Sequence, residues 1–395
     1  MIRRRKLFWP LGFVLALGVV SLFADANYEG GRGLAGPFLL FLGAIPLGIG
    51  FLSGIIEFFQ FGGRWIGGAW AQSGNHPWRV LVTGYALNLF ALPALVYVHA
   101  VWAAVLLFAC ERLGRGIRNP VKNRLLSIAG SGMGHGKAFG VYEILDQTGA
   151  VIGPLFLTVW LLTHSLRTAF ALLVVPAVLA MVFLVVAYRF SPAEAACLPT
   201  DGGGEKAGKQ TEEKGNRRSF LRWATVLSAA GGSYLFIGYA LMAGWHWTAS
   251  AVAGGFALVM ACDGLGGLAA GVLYDRIGRP MLSVLPLFLA FSMGLLFWGE
   301  GPLLWLGLAL WGVQLGCQET LVPADFGSRQ PRPDSRAFGS LGFLLGVGQL
   351  AGTAILGLLF ALAPALIPAW IAGLCVMVGI WVFRDLRSAD RAPAS

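Results

Sequence analysis

Lys137-Ala138-Phe139-Gly140 recurs as Arg336-Ala337-Phe338-Gly339, 199 residues further along a chain of 395 residues. The same offset relates Gly149 and Gly153 to Gly348 and Gly352. Small residues four positions apart let membrane helices pack closely, which by itself explains the glycines. Close packing does not explain why a basic residue followed by Ala-Phe-Gly precedes them both times. The offset is close to half the chain, so the sequence predicts two similar halves.

The composition is that of a membrane protein. Hydrophobic residues make up 57% of the chain and charged residues only 12%, and the mean hydropathy is +0.71. In soluble domains about a quarter of the residues are charged, so a soluble enzyme, a nucleic-acid-binding protein and a disulfide-stabilised secreted domain are excluded. A helix needs about 20 apolar residues to cross a bilayer. Apolar segments of this kind begin near residues 8, 45, 79, 98, 138, 168, 220, 249, 280, 303, 337 and 365.

These twelve segments and the repeat predict an all-α polytopic membrane protein with two pseudo-symmetric six-helix bundles. We place the N-terminal bundle at residues 1–190, a cytoplasmic linker at 191–219 and the C-terminal bundle at 220–395. The linker is polar and rich in Gly, Lys and Glu, a composition that cannot bury a core. Two parallel halves related by an axis along the membrane normal are typical of one large transporter class, whose binding site lies near the midplane between the halves.

The positions of the basic residues predict the orientation. Most of the 29 Lys and Arg residues fall at one face of the predicted bundle, whereas Arg167 lies in a loop on the opposite side. Basic residues near the ends of spans are retained in the cytoplasm. An even number of spans puts both termini on the same side. We therefore expect a multi-pass protein of the inner (cytoplasmic) membrane with both termini in the cytoplasm.

Between the eighth and ninth apolar segments the chain reads Gly271-Val272-Leu273-Tyr274-Asp275-Arg276-Ile277-Gly278-Arg279. This stretch resembles the cytoplasmic loop signature of the major facilitator superfamily, Gly-x-Leu-x-Asp-Arg-x-Gly-Arg. The resemblance implies the superfamily's fold and the transport of a small solute by alternating access. It also implies that the loop switches the conformation, through Gly271, Asp275, Arg276, Gly278 and Arg279. The matching place in the first half, Gly68-Ala69-Trp70-Ala71-Gln72-Ser73-Gly74-Asn75-His76, lacks the Asp and both Arg residues.

Two further motifs carry the resemblance. Gly140, Gly149, Gly153 and Pro154 on the fifth segment are similar to the superfamily's antiporter motif, although Leu157-Thr158 replaces its closing Gly pair. This similarity implies a helix-packing role and export of the solute. On the fourth segment, Arg112 followed by Gly116 resembles the superfamily's Arg-x-x-x-Gly motif.

Ionisable residues lie inside the apolar segments, mostly in the first half of the chain. Each costs about 2.5–3.5 kcal/mol at the bilayer centre, so each is a functional candidate until a partner explains it. Helical spacing groups them into stripes on the first, second, fourth and fifth segments. The candidates for proton coupling are Asp25, Glu29 and Asp146. The candidates for the substrate cavity are Tyr28, Arg32, Glu57, Arg112, Arg115, Arg118, Glu143, Asp263 and Glu319.

Two interpretations of these charges stay open. In the first, Arg and carboxylate groups pair with one another and fix the packing of the helices. In the second, a water-filled cavity with a cationic wall binds an anionic or zwitterionic solute while one carboxylate exchanges protons. Asp25 is our first choice for the proton carrier, because it lies near the middle of a long segment and related exporters often carry an Asp at a comparable position. Its structural alternative is a packing partner for Arg112.

The leading hypothesis is a secondary transporter that exports a small solute by proton antiport. One alternative is uptake of an organic anion or zwitterion by the same fold. Another is a transporter-like sensor or scaffold that no longer transports, which the degenerate loop at Gln72 and Ser73 favours. The five His residues lie far apart and the chain has no Gly-rich phosphate loop, so we expect no metal site, no cofactor and no enzyme activity. The expected partners are a small-molecule solute, protons and the lipid bilayer, without nucleic acid, and the expected state is a monomer.

Overall fold

The computed structural model describes residues 2–72, 77–133, 135–191, 214–328 and 335–390, and every regular element in this part of the chain is helical. The helices begin within a few residues of the predicted starts, except that α1 and α8 begin about six residues earlier. Of the predicted linker 191–219, residues 192–213 lie outside the described residues. The helices are α1 (Ile2–Phe41), α2 (Pro46–Gln72), α3 (Pro77–Ala91), α4 (Val101–Met133), α5 (His135–Trp160), α6 (Leu166–Leu172), α7 (Val174–Arg189), α8 (Lys214–Gly231), α9 (Tyr234–Trp245), α10 (Ala249–Ile277), α11 (Val284–Trp298), α12 (Pro302–Ser328), α13 (Ser335–Leu362) and α14 (Ile367–Asp390).

Eight helical stretches in the described residues are long and apolar enough to cross a membrane. They are Pro10–Phe41, Pro77–Tyr97, Leu166–Arg189, Arg217–Trp245, Ala249–Ile277, Arg279–Trp298, Ser340–Leu362 and Pro364–Arg387. The helices α2, α4, α5 and α12 are as long, at 26 to 33 residues, but they carry polar and charged side chains between their apolar ones. The predicted polytopic helical architecture is confirmed, and the count of twelve spans stays a prediction.

The chain divides into two compact units, the first of which comprises Met1–Ala44, Ile56–Glu205 and Leu241–Ala257. In this unit α1 packs along α5, α7 and α4. A methyl group on Gly149 or Gly153 would collide with the backbone of Leu22 or Ala26, so α5 lies directly on α1. This close approach brings the polar residues of α1 and α5 together.

The second unit comprises Ile45–Ile55, Lys206–Ala240 and Leu258–Ser395. Here α13 packs on α8 in the way that α5 packs on α1, because a methyl group on Gly348 or Gly352 would collide with the backbone of Thr225 or Ala229. The repeated glycines therefore allow the same close helix contact in both units. The start of α2 also belongs to this unit, where the Ser53 hydroxyl is hydrogen-bonded to the hydroxyl of Ser233.

Candidate functional site

Arg112 on α4 lies between two buried carboxylates. Its Nε is 3.0 Å from Oε2 of Glu57 on α2, and its Nη2 donates to Oε1 of the same residue at 3.1 Å. Its Nη1 donates to Oε2 of Glu111 at 2.7 Å, while Asn88 on α3 donates to Oε1 of Glu111 at 2.8 Å. All four side chains are buried. Paired charges of this kind fix the packing of α2, α3 and α4.

The same network continues onto α1. Glu29 is 3.4 Å from Arg32 one helical turn later and 3.1 Å from Arg115 on α4. Arg32 in turn lies 3.6 Å from Glu57. Three carboxylates and three guanidinium groups thus alternate, and their formal charges cancel. For these six residues the geometry agrees with the structural interpretation of the sequence analysis. They are called the closed network below: Glu29, Arg32, Glu57, Glu111, Arg112 and Arg115.

Asp25 on α1 faces Asp146 on α5, and the two carboxyl groups are close enough to share a hydrogen bond. Asp25 is 1% exposed, and its Oδ1 has no hydrogen-bond partner. A carboxylate can only accept, so a hydrogen bond between two carboxyl groups requires one proton. Arg112 is paired with Glu57 and Glu111 instead. The contact between Asp25 and Arg112, which was the structural alternative for Asp25, is therefore absent from the contacts of the described residues.

A line of polar groups extends from this pair. The Tyr142 hydroxyl donates to Oδ1 of Asp146 at 2.9 Å, and Lys122 on α4 donates to the Tyr142 oxygen at 2.7 Å. The Ser21 hydroxyl bonds both Tyr142 and Asp146. Lys122 and Asp146 are half-buried, whereas Asp25 is closed off. The polar line therefore connects the buried carboxyl pair to a less enclosed position on α4.

Arg118 on α4 is held by aromatic rings. Its guanidinium carbon lies 4.3 Å from the ring centroid of Tyr85 on α3 and 5.3 Å from that of Tyr28 on α1. Arg115 contacts the same Tyr28 ring, and its guanidinium carbon lies 4.3 Å from the ring centroid. Arg118 is 1% exposed and forms no ion pair with any described residue. Its Nε and Nη1 have no hydrogen-bond partner.

Three predicted cavity residues lie apart from this cluster. Glu143 is exposed on α5, where Gln147 contacts it at 3.4 Å, although it is only three residues from Asp146. Glu319 is exposed on α12, and Asp263 is buried on α10 in the second compact unit. The structure therefore gathers the charged candidates of α1, α2 and α4 together with Asp146, and leaves these three outside.

The loop signature forms a contact between α10 and α12. Gly278 adopts φ 76° and ψ −150°, a backbone conformation open essentially only to glycine. The turn places Nε of Arg279 3.1 Å from Oδ1 of the buried Asp325, which also accepts a hydrogen bond from the Tyr274 hydroxyl at 3.0 Å. The other two charged residues of the signature, Asp275 and Arg276, are exposed, and Gly271 lies within α10. In the first half, residues 73–76 of the matching stretch lie outside the described residues.

Sequence reasoning missed four residues of the site: Ser21, Tyr85, Asn88 and Tyr142. Two of them carried a usable signal, because Ser21 and Tyr142 precede Asp25 and Asp146 by four residues and so share their helix faces. Tyr85 and Asn88 lie on α3, which has no charged residue after Arg79, and nothing in the sequence connects them to α4. Their role follows only from the packing of α3 against α4.

Comparisons with known proteins agree with this architecture. A family model described as Major Facilitator Superfamily matches residues 26–353. An uncharacterised protein of Mycobacterium tuberculosis (strain ATCC 25618 / H37Rv) is 30% identical over 378 residues, which cover 94% of this chain and 92% of that protein.

Solved transporter structures have the same fold at low sequence identity. A mutant of the peptide transporter POT has a TM-score of 0.76 at 15% identity, with 96% of this chain and 94% of the other covered. A bacterial homologue of the human lysosomal transporter Spinster has a TM-score of 0.73 at 14% identity, with 98% and 99% covered. These likenesses show the fold alone, and the roles of the site residues rest on the geometry described above.

Proposed function

The chain belongs to the major facilitator superfamily, and from this premise we propose that it couples the transport of a small solute to protons bound at Asp25 and Asp146. It is a secondary transporter in a membrane that it crosses several times, and not an enzyme. The proposal concerns the coupling ion and the residues that carry it. We also propose, from the basic residues near the helix ends, that both termini lie in the cytoplasm and that the membrane is the inner membrane.

The buried carboxyl pair is the observation that carries the proposal. Within the cluster, the closed network already satisfies three carboxylates with three guanidinium groups, so these residues have a structural role. Asp25 and Asp146 are different, since they can share a hydrogen bond only while a proton is present. A proton carrier needs a group that binds a proton in one conformation and releases it in another. We propose that the pair of Asp25 and Asp146 is this group.

The polar line of Tyr142 and Lys122 gives the proton a route. Hydroxyl and ammonium groups within hydrogen-bonding distance can pass a proton by successive exchange, here over contacts of 2.9 and 2.7 Å. Lys122 lies after Pro120 on α4, toward the helix end that the basic residues assign to the cytoplasm. We propose that the Asp25 and Asp146 pair exchanges protons with the cytoplasm along this line.

Transport in proteoliposomes tests the proposal. The vesicles carry a trapped pH dye and receive radiolabelled lactate, succinate, glutamate, choline or uridine under an imposed proton gradient. We expect a transported solute to accumulate with a matching pH change in the wild-type protein. Asp25→Asn should equilibrate the same solute without accumulation or proton flux, because the Asn amide keeps the hydrogen bond to Asp146 without a titrating proton.

The exposed carboxylate of Glu143 supplies the matched control. Glu143→Gln removes a carboxylate from the same helix as Asp146 but outside the cluster, and it should transport and couple as the wild type does. Solute accumulation that is the same in Asp25→Asn and in the wild type would overturn the proposal. A protein that exchanges no solute and keeps one conformation in accessibility labelling from both sides would be a sensor or scaffold instead.

A further inference from the structure

Five cations and five carboxyl groups meet in the buried cluster of the first compact unit. Six of these groups form the closed network, whose formal charge is zero. The four that remain are Arg118, Lys122, Asp25 and Asp146. Lys122 reaches Asp146 through Tyr142, so it has a partner in the line described above. Arg118 forms no ion pair with a described residue, and its Nε and Nη1 have no hydrogen-bond partner.

The state of the carboxyl pair decides whether Arg118 is compensated. When both carboxyl groups are ionised, the four remaining charges cancel. The hydrogen bond between Asp25 and Asp146 requires one proton, and one positive charge is then in excess. A buried charge without compensation is costly, and an arriving anion would offset that cost. The cluster with a proton bound is therefore one anion short of neutrality.

Two donors of Arg118 are without partners and are available to such an anion. The guanidinium carbon of Arg118 lies over the rings of Tyr28 and Tyr85, which is the geometry of cation–π contact. The hydrogen-bond donors lie in the plane of the group, where a carboxylate or phosphate binds them in pairs. Nε and Nη1 are the atoms without partners, and because the Nε hydrogen points away from Nη1, each offers a separate donor to an anion. Nε of Arg112 also makes no hydrogen bond, but it lies 3.0 Å from Glu57, and the other two nitrogens of Arg112 donate to Glu111 and Glu57.

We infer that Arg118 binds a carboxylate or an equivalent anionic group of the transported solute, and that it does so together with a proton on the pair of Asp25 and Asp146. This inference rests on the proposed proton coupling at the same pair. It names the solute class as organic anions or zwitterions. Because each ligand offsets the charge of the other, proton binding and anion binding strengthen each other to the same degree.

This mutual dependence has a consequence for direction. A proton and an anion that favour each other cross together, so an inward proton gradient drives uptake by symport. Proton antiport needs the opposite relation, in which the solute binds better when the proton has left. The Gly149 and Gly153 packing that suggested export is repeated at Gly348 and Gly352, so it reflects the general packing of these helices. The charge arrangement therefore favours uptake.

The groups that face the carboxyl pair come from several helices. These groups set the pH range in which the pair binds a proton. Each test substitution at Asp25 or Arg118 replaces one of them and leaves the remaining groups in place. On α7, which packs against α1, the side chains of the titratable type are Tyr188 and Arg189 at its end. Charged or titratable groups acting on Asp25 or on its partners are Asp146 and Tyr142 from α5, Arg115, Arg118 and Lys122 from α4, and Tyr85 from α3.

Ligand-dependent thermal unfolding of the full chain in detergent tests the inference. The probes are lactate, succinate, glutamate and phosphate, with choline and tetraphenylphosphonium as cations. We expect at least one anion to stabilise the wild type, more at about pH 6 than at about pH 8, and the cations to have no effect. Arg118→Gln should weaken anion binding by about 10- to 100-fold, and Arg118→Lys nearly as much, because the Lys ammonium lacks the planar, spread donors of a guanidinium group.

Two further variants separate this inference from the proposed proton coupling. Asp25→Asn imitates the protonated pair, so its anion binding should be equally strong at both pH values. Arg64→Gln removes an exposed Arg of α2 and should bind as the wild type does. Stabilisation by a cation alone, by no probe, or by anions in Arg118→Gln as in the wild type would overturn the anion site and leave the proton coupling standing. Anion binding that needs Arg118 but is independent of pH and of Asp25 would overturn the coupled binding and, with it, the proposed proton carrier.

Discussion

Arg279, the last residue of the loop signature, lies 3.1 Å from Asp325 on α12. Asp325 is completely buried, whereas the side chain of Arg279 is about one third exposed. The two partners are therefore not equivalent. Loss of the Arg leaves a buried carboxylate without this contact, while loss of the carboxylate leaves a cation that water can reach. The pair fixes the end of α10 against α12 within the second compact unit.

Substitutions in this pair should be unequal and not additive. We expect Arg279→Gln to lower the free energy of unfolding by about 1–3 kcal/mol, and Asp325→Asn to lower it less. The double variant should lose less than the sum of the single losses, since the carboxylate is no longer there to be stranded. Thermal unfolding of the purified variants in detergent measures all three values. Strict additivity would show that Arg279 and Asp325 do not interact in the membrane protein.

The turn before this pair depends on a glycine. Gly278 has φ 76° and ψ −150°, so any side chain there strains the backbone by about 1–3 kcal/mol. We expect Gly278→Ala to destabilise the protein by about that amount and to loosen the contact of Arg279 with Asp325. Gly271→Ala is the matched control, because its new methyl group would meet only Thr320, at an ordinary contact distance of 3.6 Å. Equal stability of the two variants would contradict this account of the turn.

The repeated glycines lead to a third prediction, which applies to both units. Gly153→Ala and Gly352→Ala should both be destabilising by about 2 kcal/mol or more, since the methyl group collides with the backbone of Ala26 or Ala229. Gly140→Ala is the comparison within the same motif, because nothing lies within 4 Å of its new methyl group. It should be neutral or slightly stabilising, given the better helix propensity of Ala. A stable Gly153→Ala variant would show that α5 does not lie directly on α1.

The sequence predicted the helices and the close helix contacts of the repeated glycines well, because apolar length and glycine spacing are local properties. Which charges meet was harder to predict. Helical spacing separated Glu111 from Arg112, since adjacent residues point to different faces, yet their long side chains meet at 2.7 Å. The same spacing joined Glu143 to Asp146, although Glu143 is exposed.

Partners on different helices depend on tertiary packing that no single segment encodes. Asp25 meets Asp146 because the glycines of α5 lie against the backbone of α1, and Asn88 meets Glu111 because α3 packs on α4. The sequence therefore identified most charged members of the site but could not divide them between the closed network and the groups left outside it.

The last prediction follows from the difference between the closed network and the groups outside it. It compares two buried Arg residues of α4. Arg112→Gln removes the cation that Glu57 and Glu111 share and should cost about 3–5 kcal/mol, enough to reduce expression and the unfolding temperature sharply. Arg118→Gln breaks no ion pair of the described residues, and it removes a buried charge two of whose nitrogens lack hydrogen-bond partners. We expect it to retain or exceed the stability of the wild type while losing solute binding. Thermal unfolding and transport, measured on the same preparations, make the comparison. If Arg118→Gln is as unstable as Arg112→Gln, then Arg118 has a partner that holds the fold, and its role in binding a solute is refuted.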